Sequence, residues 1–326
     1  MWAVAALAAA ALYTFSPELV DAPTFRAPLP PAVSSRDSAR ILFLGDVMFD
    51  RGIRLAARAQ GGYGYVLAPL ESLLRAHDIV VFNLEGPVTD NESASTGSAV
   101  GSARNYVFTM DPASLAALHE AAGTTTLVAN LGNNHIYNFG MDGVLQTEHN
   151  LADEHIMFFG SPRGPEEPLA LNTSAGRVVF VSYNQFGSMD VASSAIAALT
   201  VARLSGTFPV LFAHWGEEYA TSAPAYVASL ARTFVDAGAR LVVGSHPHVV
   251  EGPVWYADTL IFYSLGNALF DQYWDPSVYC GAALSVTIDH GALTHAEVVP
   301  LKMMRSGQTL FGPEATGCVQ YGSVVE

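Results

Sequence analysis

The sequence predicts an α/β fold in which stacked mixed sheets are flanked by helices. Apolar runs typical of buried strands alternate with stretches of helical periodicity as far as residue 263, and two strands joined by a tight turn follow. Half of the 326 residues are hydrophobic and 14% are charged, whereas ordinary soluble domains carry roughly 25% charged residues. This composition indicates a large core in which both faces of each sheet are covered.

The individual elements follow from local patterns. Short apolar, β-branched runs predict strands over 41–44, 78–82, 124–129, 177–183, 208–213, 240–243, 260–263, 282–288 and 295–300. Apolar spacing predicts helices over 55–58, 66–75, 115–122, 141–154 and 225–237. Residues 90–103 are rich in Ser, Gly, Ala and Asn, and predict a long loop.

Two segments precede the predicted domain. Residues 1–15 are mostly apolar but shorter than the roughly 20 residues that cross a bilayer, and they lack the positive charge of a signal peptide. We interpret them as a signal or anchor remnant, with a docking helix of a cytoplasmic protein as the alternative. Residues 16–39 hold five prolines and predict an extended linker. The domain then covers 40–304, and residues 305–326, thin in aliphatic side chains, predict a loosely ordered tail.

The net charge and the cysteine spacing argue against several kinds of ligand and site. A net charge of −15 argues against nucleic acid, whose phosphates need a basic surface, and against adhesion to anionic lipid headgroups. Cys280 and Cys318 have no CxxC partner, so a zinc knuckle is disfavoured. A disulfide in an oxidising compartment and two buried thiols both remain open.

Metal-competent side chains follow most of the predicted central strands. They are Asp46, Asn83 and Glu85, Asn134 and His135, His214, and His246 and His248. Ligands bind beyond the carboxyl ends of strands in α/β proteins, so we expect these side chains to meet at one edge. Each has an ordinary alternative when taken alone: Asp46 as a turn residue, Glu85 in a salt bridge, and His214 as a core histidine.

The segment His246-Pro247-His248 is the strongest motif, because two imidazoles one residue apart leave a buried strand together. Carboxylates, an amide and imidazoles form the mixed nitrogen and oxygen set that suits zinc, manganese or iron. We therefore predict one or two divalent ions, which can activate water near neutral pH. The sequence contains neither a P-loop nor a Rossmann fingerprint, and it lacks the G-x-S-x-G elbow of serine hydrolases.

Four polar residues are predicted to contact substrate, namely Arg51, Asn83, Glu217 and Asn267. Arg51 could contact an anion or pair with Asp50. Glu217 could orient an imidazole or belong to a solvated acidic pair. Asn267 could line the pocket or close the sheet edge.

As an ordered set, these motifs resemble the CapA capsule-synthesis family, which is associated with poly-γ-glutamate capsule. The resemblance rests on residues 45–48, 83–87, 133–135, 214–219, 246–248 and 264–267, and it spans 41–302. It implies a four-layer αββα sandwich of mixed sheets, of the calcineurin-like metallophosphoesterase type. The site would then lie at the strand ends.

The resemblance also implies a role for each residue. One metal would take Asp46, Glu85 and His248. The second would take Glu85, Asn134, His214 and His246, so that Glu85 bridges the two metals. His135 would be the acid that protonates the leaving group, and turnover would depend on His135 and Asp46.

The chain departs from the pattern of its relatives at four positions. Met48 stands where metallophosphoesterases have a histidine, as it commonly does in CapA-like chains, and Asn138 stands where the CapA pattern has Asp. Ser245 replaces a histidine, and Glu251 replaces a glutamine. Met48 removes a ligand from the first metal, and Asn138 removes a carboxylate beside His135.

Our leading hypothesis is a CapA-like protein in the synthesis, export or release of a surface polymer, with a metal-dependent hydrolase site. It would be exported and anchored to the outer face of the cytoplasmic membrane through its N-terminus. Its partners would be an anionic surface polymer or precursor, and subunits of a membrane polymer synthase. The alternatives are a non-catalytic binding subunit of such a synthase, and a metal-dependent phosphoesterase.

Overall fold

The computed structural model describes residues 37–162, 167–187, 191–318 and 322–325. The predicted signal remnant and most of the linker lie outside these residues. The first strand begins at Ser38, two positions before the predicted start of the domain. Within the described part of the chain, every helix is too short or too polar to cross a membrane.

The strands fall into two large sheets and one small one. In chain order they are β1 (Ser38–Val47), β2 (Ile79–Leu84), β3 (Thr126–Asn130), β4 (Met157–Phe159), β5 (Leu169–Thr173), β6 (Gly176–Asn184), β7 (Phe208–His214), β8 (Leu241–Ser245), β9 (Val250–Glu251), β10 (Val254–Tyr256), β11 (Thr259–Phe262), β12 (Ser264–Leu265), β13 (Asn267–Leu269), β14 (Cys280–Asp289), β15 (Ala292–Met303), β16 (Thr309–Phe311) and β17 (Gly322–Val325).

The larger sheet has the order β16-β15-β14-β1-β2-β3-β4, with β13 paired to β1 and β17 to β15. Strands β1 to β4 run parallel, whereas β14 and β15 are antiparallel. The second sheet has the order β10-β11-β8-β7-β6-β5 and is parallel across β6, β7, β8 and β11. Both sheets are therefore mixed, as the sequence predicts.

The helices cover the outer faces of the two sheets. They are α1 (Arg51–Ala59), α2 (Tyr63–Leu67), α3 (Glu71–Arg75), α4 (Ala113–Ala122), α5 (Gly140–Asp153), α6 (Val191–Leu204), α7 (Ala225–Ala237) and α8 (Pro276–Tyr279). Helices α1 to α5 pack on the larger sheet, and α6 and α7 pack on the second. A third core lies between the sheets, where the rings of Phe43 and Phe180 are 6.3 Å apart. These three cores produce the predicted four-layer αββα sandwich.

The central elements match their predicted positions, and the tight turn between β14 and β15 falls at His290 and Gly291. Both residues have positive φ angles, 48° and 73°, as this kind of hairpin turn requires. The helix predicted over 66–75 is divided into α2, a 3₁₀ turn (Ala68–Leu70) and α3. Pro69 lies in that turn, where its missing N–H interrupts the α-helical hydrogen-bond pattern.

The prediction of a loosely ordered tail after residue 304 is wrong. Strands β16 and β17 both pair with β15, and a disulfide joins Cys280 to Cys318, whose Cα atoms are 5.5 Å apart. The two cysteines, for which the sequence allows either a disulfide or two buried thiols, thus form a disulfide. Pairing with a long neighbouring strand holds this segment, although it has few aliphatic side chains of its own.

Candidate metal centre

The candidate site lies where strands of both sheets end. Asp46 lies near the end of β1, Glu85 directly follows β2, and His248 follows β8. Strands β1 and β2 are parallel neighbours with Asp46 opposite Asn83, so their carboxyl ends meet at one edge, as expected for an α/β site. Because β8 belongs to the second sheet, the site spans the interface between the two sheets.

Close approach of two backbones brings these strand ends together. A side chain at Gly45 would meet the carbonyl oxygen of Gly266 at 1.9 Å. A side chain at Gly244 would meet the carbonyl oxygen of Tyr263 at the same distance. Both glycines come shortly before site residues, so they let the chain pass where a Cβ atom would clash.

Three side chains form a compact cluster that could hold a metal ion. Ligand atoms of Asp46, Glu85 and His248 all lie within 4.8 Å of one another, and all three residues are buried. His248 Nδ1 lies 3.2 Å from Asp46 Oδ2, and His248 Nε2 lies 3.7 Å from Glu85 Oε1. This is the set that the resemblance assigns to the first metal. Among the described residues it is the one group of three or more His, Cys, Asp or Glu side chains gathered so closely.

The electrostatics of the cluster favour a cation. Burial, followed by the neighbouring Asp46 carboxylate, raises the pKa of Glu85 well above its ordinary value. Burial alone would raise the pKa of Asp46, but His248 and a hydrogen bond from Asn83 outweigh it and lower that pKa. Glu85 Oε1 is buried and has no hydrogen-bond partner among the described residues. A buried carboxylate oxygen without a donor is costly, so a divalent cation fits this donor set.

Two buried asparagines hold the ligands in place. Asn83 Nδ2 donates to Asp46 Oδ1 at 2.8 Å and to Glu85 Oε2 at 3.4 Å. Asn267 Nδ2 donates to the Val278 carbonyl, so its Oδ1 is free to accept from His248 Nδ1 at 2.9 Å. This contact leaves His248 Nε2 as the nitrogen with a lone pair. Both asparagines are predicted to contact substrate, and the structure buries them fully with their side chains against Asp46 and His248. Their contact with substrate stays a prediction.

The turn at residues 246–248 has an unusual backbone. His246 has φ 97° and His248 has φ 60°, values rare for residues with a side chain. Such conformations cost about 1–3 kcal/mol each and persist when contacts fix them. Here the N–H of His246 donates to Asp46 Oδ2 at 3.2 Å, and the N–H of Tyr219 donates to the Pro247 carbonyl at 2.8 Å. The turn aims its two imidazoles at different neighbours, as the implied division between two metals requires.

The ligands implied for a second metal form a neighbouring group. The rings of His214 and His246 are 4.8 Å apart, and His214 Nε2 lies 2.9 Å from Asn134 Oδ1. Burial and the neighbouring imidazoles lower the pKa of His214 well below its usual value and that of His246 to about 4. Both rings are therefore neutral at pH 7, as metal binding requires. His246 Nδ1 is buried without a partner among the described residues.

His135 stands beside the cluster. Its Nε2 lies 3.9 Å from Glu85 Oε1, and its side chain is 11% exposed. Asn138 Oδ1 accepts the N–H of Phe108 at 2.8 Å and lies 3.1 Å from His135 Nδ1. The His135 Nδ1 atom must therefore carry the proton, which leaves Nε2 unprotonated and facing the cluster. Burial lowers the pKa of His135 to about 4, so in this state the ring is a proton acceptor, whereas the sequence predicts an acid.

The two other residues that are predicted to contact substrate, Arg51 and Glu217, differ in their surroundings. Arg51 does not pair with Asp50. It forms a short ion pair with Asp271, and its guanidinium carbon lies 4.9 Å from the centre of the Phe108 ring. Glu217 is exposed, and its contact with substrate stays a prediction.

Three of the four positions that depart from the patterns of similar families have identifiable contacts. Met48 is fully buried against Phe108, Phe270 and Met303, so it belongs to an apolar core and is not part of the candidate metal-binding group. Asn138 keeps the contact with His135 Nδ1. Ser245 Oγ lies 3.0 Å from His214 Nδ1 and contacts that ring.

Sequence reasoning missed three residues of the site. Asn133 looks like a helix cap in the sequence, yet its side chain donates to Asn83 Oδ1 at 3.3 Å and to the Leu84 carbonyl at 2.8 Å. The ring of Phe186 lies 4.3 Å from that of His246 and is 42% exposed. Tyr219 stacks on His248 at 5.9 Å. An aromatic residue in a loop carries no local signal that separates these roles from ordinary packing.

Comparisons against known proteins identify the family of this chain. The family model described as Bacterial capsule synthesis protein PGA_cap matches residues 40–272. The PGA biosynthesis protein CapA of Bacillus subtilis (strain 168) is 29% identical over 258 residues, which are 74% of this chain and 65% of the relative. The capsule biosynthesis protein CapA of Bacillus anthracis is 29% identical over 251 residues, 71% of this chain and 59% of the relative.

The chain thus spans less than two thirds of the length of these relatives. A crystal structure of TT1561 from Thermus thermophilus aligns over 77% of this chain and 99% of that chain, with 13% identity and a TM-score of 0.39. That score is too low to support an argument, so the four-layer architecture rests on the strand order and the three cores. The family match covers most of the chain and includes every residue of the candidate metal centre. This chain belongs to the bacterial capsule synthesis protein family PGA_cap.

Proposed function

We propose that this protein is a metal-dependent hydrolase that acts on an anionic surface polymer during its synthesis, export or release. The observation that carries the proposal is the buried cluster of Asp46, Glu85 and His248 with its unpaired Glu85 oxygen. Removing two carboxylates fully from water, as here, is unfavourable unless they bind a cation. The family and the names of the CapA relatives support the polymer as substrate.

The proposed ligand atoms follow from the hydrogen bonds. His248 would bind through Nε2, because Asn267 engages Nδ1. Glu85 would bind through Oε1, which has no hydrogen-bond donor among the described residues, and Asp46 would supply a carboxylate oxygen. When bound, manganese, zinc or iron would supply Lewis-acid chemistry that polarises the scissile group and activates water. His214, His246 and Asn134 are the proposed ligands of a second ion.

The protein groups have separate tasks in this proposal. His135 presents its unprotonated Nε2 toward Glu85 and would accept a proton from the attacking water, while Asn138 fixes the ring. After that step the imidazolium can return the proton to the leaving group, which reconciles its resting state with the predicted acid role. Phe186 covers the imidazole of His246 and Tyr219 covers that of His248, and both rings limit the access of water.

We propose that the protein acts outside the cytoplasmic membrane, together with subunits of a membrane polymer synthase. The Cys280–Cys318 disulfide supports this location, because disulfides persist in oxidising compartments and are rare in the cytosol. The proposed anchor falls on residues 1–15, outside the described part of the chain. Labelling with a membrane-impermeant thiol reagent after mild reduction of intact cells tests the location. Labelling only after lysis would contradict it.

The decisive experiment is metal analysis of the purified full chain. Three proteins are dialysed against manganese, zinc or iron: wild type, Asp46→Asn, and the double variant His246→Ala with His248→Ala. The metal that each protein retains is then measured. The exposed His149, which pairs with Asp153 far from the cluster, supplies the control His149→Ala. Wild type and control should retain metal and the other two variants should lose it. Equal metal content in all four would end the dimetal proposal.

Activity is tested separately with polyglutamate and with phosphoesters, each with and without added metal. The proposal expects polymer cleavage that needs metal and is lost in Asp46→Asn and His135→Ala. A metal-dependent activity on phosphoesters that exceeds cleavage of the polymer would instead favour the phosphoesterase.

A second candidate function is a non-catalytic binding subunit of a polymer-synthase complex. Met48 and Asn138 favour it, because Met48 packs in an apolar core where metallophosphoesterases have a histidine, and Asn138 supplies no carboxylate beside His135. This candidate expects polymer binding without turnover under every metal condition. Turnover lost on Asp46→Asn would exclude it.

A further inference from the structure

A cavity of ≈ 380 Å³ opens beside the candidate metal centre. We call it the side cavity, and its walls include Arg51, Leu55, Val100, Trp274 and Arg305. The long loop predicted over 90–103 forms one wall. Asp50 anchors that loop, because it accepts hydrogen bonds from Ser95 Oγ at 2.6 Å and Thr96 Oγ1 at 3.0 Å.

Aromatic rings connect the side cavity to the metal centre. The Trp274 ring stands edge-on to Tyr219, with centroids 5.6 Å apart. Tyr219 in turn stacks on His248, with centroids 5.9 Å apart. A chain-like ligand that reaches His248 could therefore continue across these rings into the side cavity.

The charges of the side cavity single out Arg305. The other arginine of the wall, Arg51, is already paired with Asp271, whose second oxygen accepts the N–H of Gly52 at 2.9 Å. Arg305 has no acidic partner within ion-pair distance among the described residues, and its guanidinium lies 5.6 Å from the centre of the Tyr273 ring. A free guanidinium on a cavity wall binds carboxylates through paired hydrogen bonds. In a protein of net charge −15, it is a local site for an anion.

Backbone hydrogen bonds hold the turn that carries Arg305, whose side chain is exposed. Arg305 lies in the turn between β15 and β16, where the N–H of Met304 donates to the Gln308 carbonyl and the N–H of Gly307 donates to the Met304 carbonyl, both at 2.8 Å. Arg305 also lies beyond residue 272, where the family match ends. The family pattern therefore assigns it no role.

The remaining walls define the rest of the ligand. Trp274 is 60% exposed, Leu55 50% and Val100 93%. Large exposed apolar side chains around a concave surface mark a binding site. An inorganic anion would use Arg305 alone, whereas a carboxylate on a short methylene arm would also cover these apolar groups. The cavity thus fits an aliphatic chain that carries carboxylates.

We propose that the side cavity is a subsite for a carboxylate-bearing arm of the polymer chain, with Arg305 as the anion contact and Trp274 as the apolar wall. This proposal rests on the proposed function, because it places the reacting part of the same chain at the metal centre. It deepens that function by naming the substrate chemistry that the subsite selects. The subsite would hold the chain beside the metal centre and would not take part in bond cleavage.

The test is a binding measurement on the full chain in EDTA, by isothermal titration with a γ-linked glutamate pentamer. Working without metal keeps a failure here distinct from a failure of the metal proposal. Arg305→Ala and Trp274→Ala should each weaken pentamer binding about tenfold or more, whereas Arg305→Lys and Trp274→Phe should restore part of it. A glutamine pentamer should not bind detectably.

Arg232 offers a matched control, because its guanidinium also lies 5.6 Å from a tyrosine ring, that of Tyr256, and it is exposed on α7. Arg232→Ala should bind the pentamer like wild type. Equal affinity in wild type and Arg305→Ala would overturn the proposal. So would inorganic phosphate that binds at Arg305 as tightly as the pentamer, since the apolar walls would then contribute nothing.

Discussion

His248 Nδ1 lies 3.2 Å from Asp46 Oδ2, although one residue follows a strand of the second sheet and the other lies in the larger sheet. Asp46 ends a strand of the larger sheet, and His248 follows β8 of the second sheet. A cation held between them would therefore tie the two halves of the sandwich together. Metal binding and the stability of the fold should be coupled.

The first prediction is that divalent metal raises the melting temperature. A ligand at 100 times its Kd stabilises the native state by about 2.7 kcal/mol, which corresponds to several degrees for a domain of this size. Differential scanning fluorimetry of wild type with manganese or zinc, against EDTA, measures the shift. Asp46→Asn should lose it and His149→Ala should keep it. An identical shift in Asp46→Asn would show that the metal binds elsewhere.

The second prediction concerns Glu85→Gln. Glu85 Oε1 is buried without a partner beside the Asp46 carboxylate, so its charge destabilises the metal-free protein. An amide of the same shape removes that cost, which we place at about 1–3 kcal/mol. In EDTA at pH 8 the variant should melt above wild type, and with metal it should melt below wild type. The same order of melting temperatures under both conditions would contradict a ligand role for Glu85.

The third prediction is that Asn267→Ala weakens metal binding without removing a ligand. Asn267 holds His248 Nδ1 at 2.9 Å, and loss of such a supporting contact typically costs 10-fold to 100-fold in metal affinity, roughly. Competition with a metallochromic indicator measures the affinity. Asn267→Asp should recover much of it, because a carboxylate also accepts from Nδ1. Unchanged affinity in Asn267→Ala would return this residue to its predicted contact with substrate.

The central strands could be predicted from the sequence because their apolar runs report burial on both faces. Helix α6 could not be predicted, because its own apolar side chains are spread over all of its faces. Ala195 and Leu199 are buried, whereas Val201 and Leu204 are 64% and 75% exposed, so no single stripe marks its inner face. Strand β4 is a short edge strand of three residues, too brief for a pattern to emerge.

In the candidate site, the sequence predicts which residues could bind a metal. It does not predict which side chains the surrounding polar residues contact. Strand ends identify Asp46, Glu85 and His248, because a polar residue after a buried run must lie at the sheet edge. The partners of Arg51 and Asn267 depend on side chains that are distant in the sequence. Arg51 pairs with Asp271, and no local pattern distinguishes that arrangement from the expected pairing with Asp50.

The fourth prediction is that the disulfide stabilises the C-terminal strands. Cys280 and Cys318 are 38 positions apart, and the loss of chain entropy on closing such a loop corresponds to about 4 kcal/mol. The double variant Cys280→Ser with Cys318→Ser should melt well below wild type and should not respond to dithiothreitol. Wild type in dithiothreitol should approach the variant. An unchanged melting temperature, with both thiols titrated as free, would contradict this role.

The fifth prediction is a pH-dependent gain of stability in Glu251→Gln. Glu251 is 4% exposed, and its Oε1 has no hydrogen-bond partner among the described residues. Burial raises its pKa from 4.5 to about 7, so the folded protein holds this proton more tightly than the unfolded chain. The stability that this proton supplies is therefore complete below about pH 4.5 and is lost as the pH rises through about 7.

Glutamine cannot lose a proton, so the variant escapes this loss. One pKa unit corresponds to about 1.4 kcal/mol, and the gain over wild type should grow from near zero at about pH 4.5 to at most about 3 kcal/mol at about pH 8. Urea unfolding of both proteins across this range measures the difference. Glu92→Gln, at an exposed position, should follow wild type at every pH. A gain that does not change with pH would mean that Glu251 affects stability through packing and not through its charge.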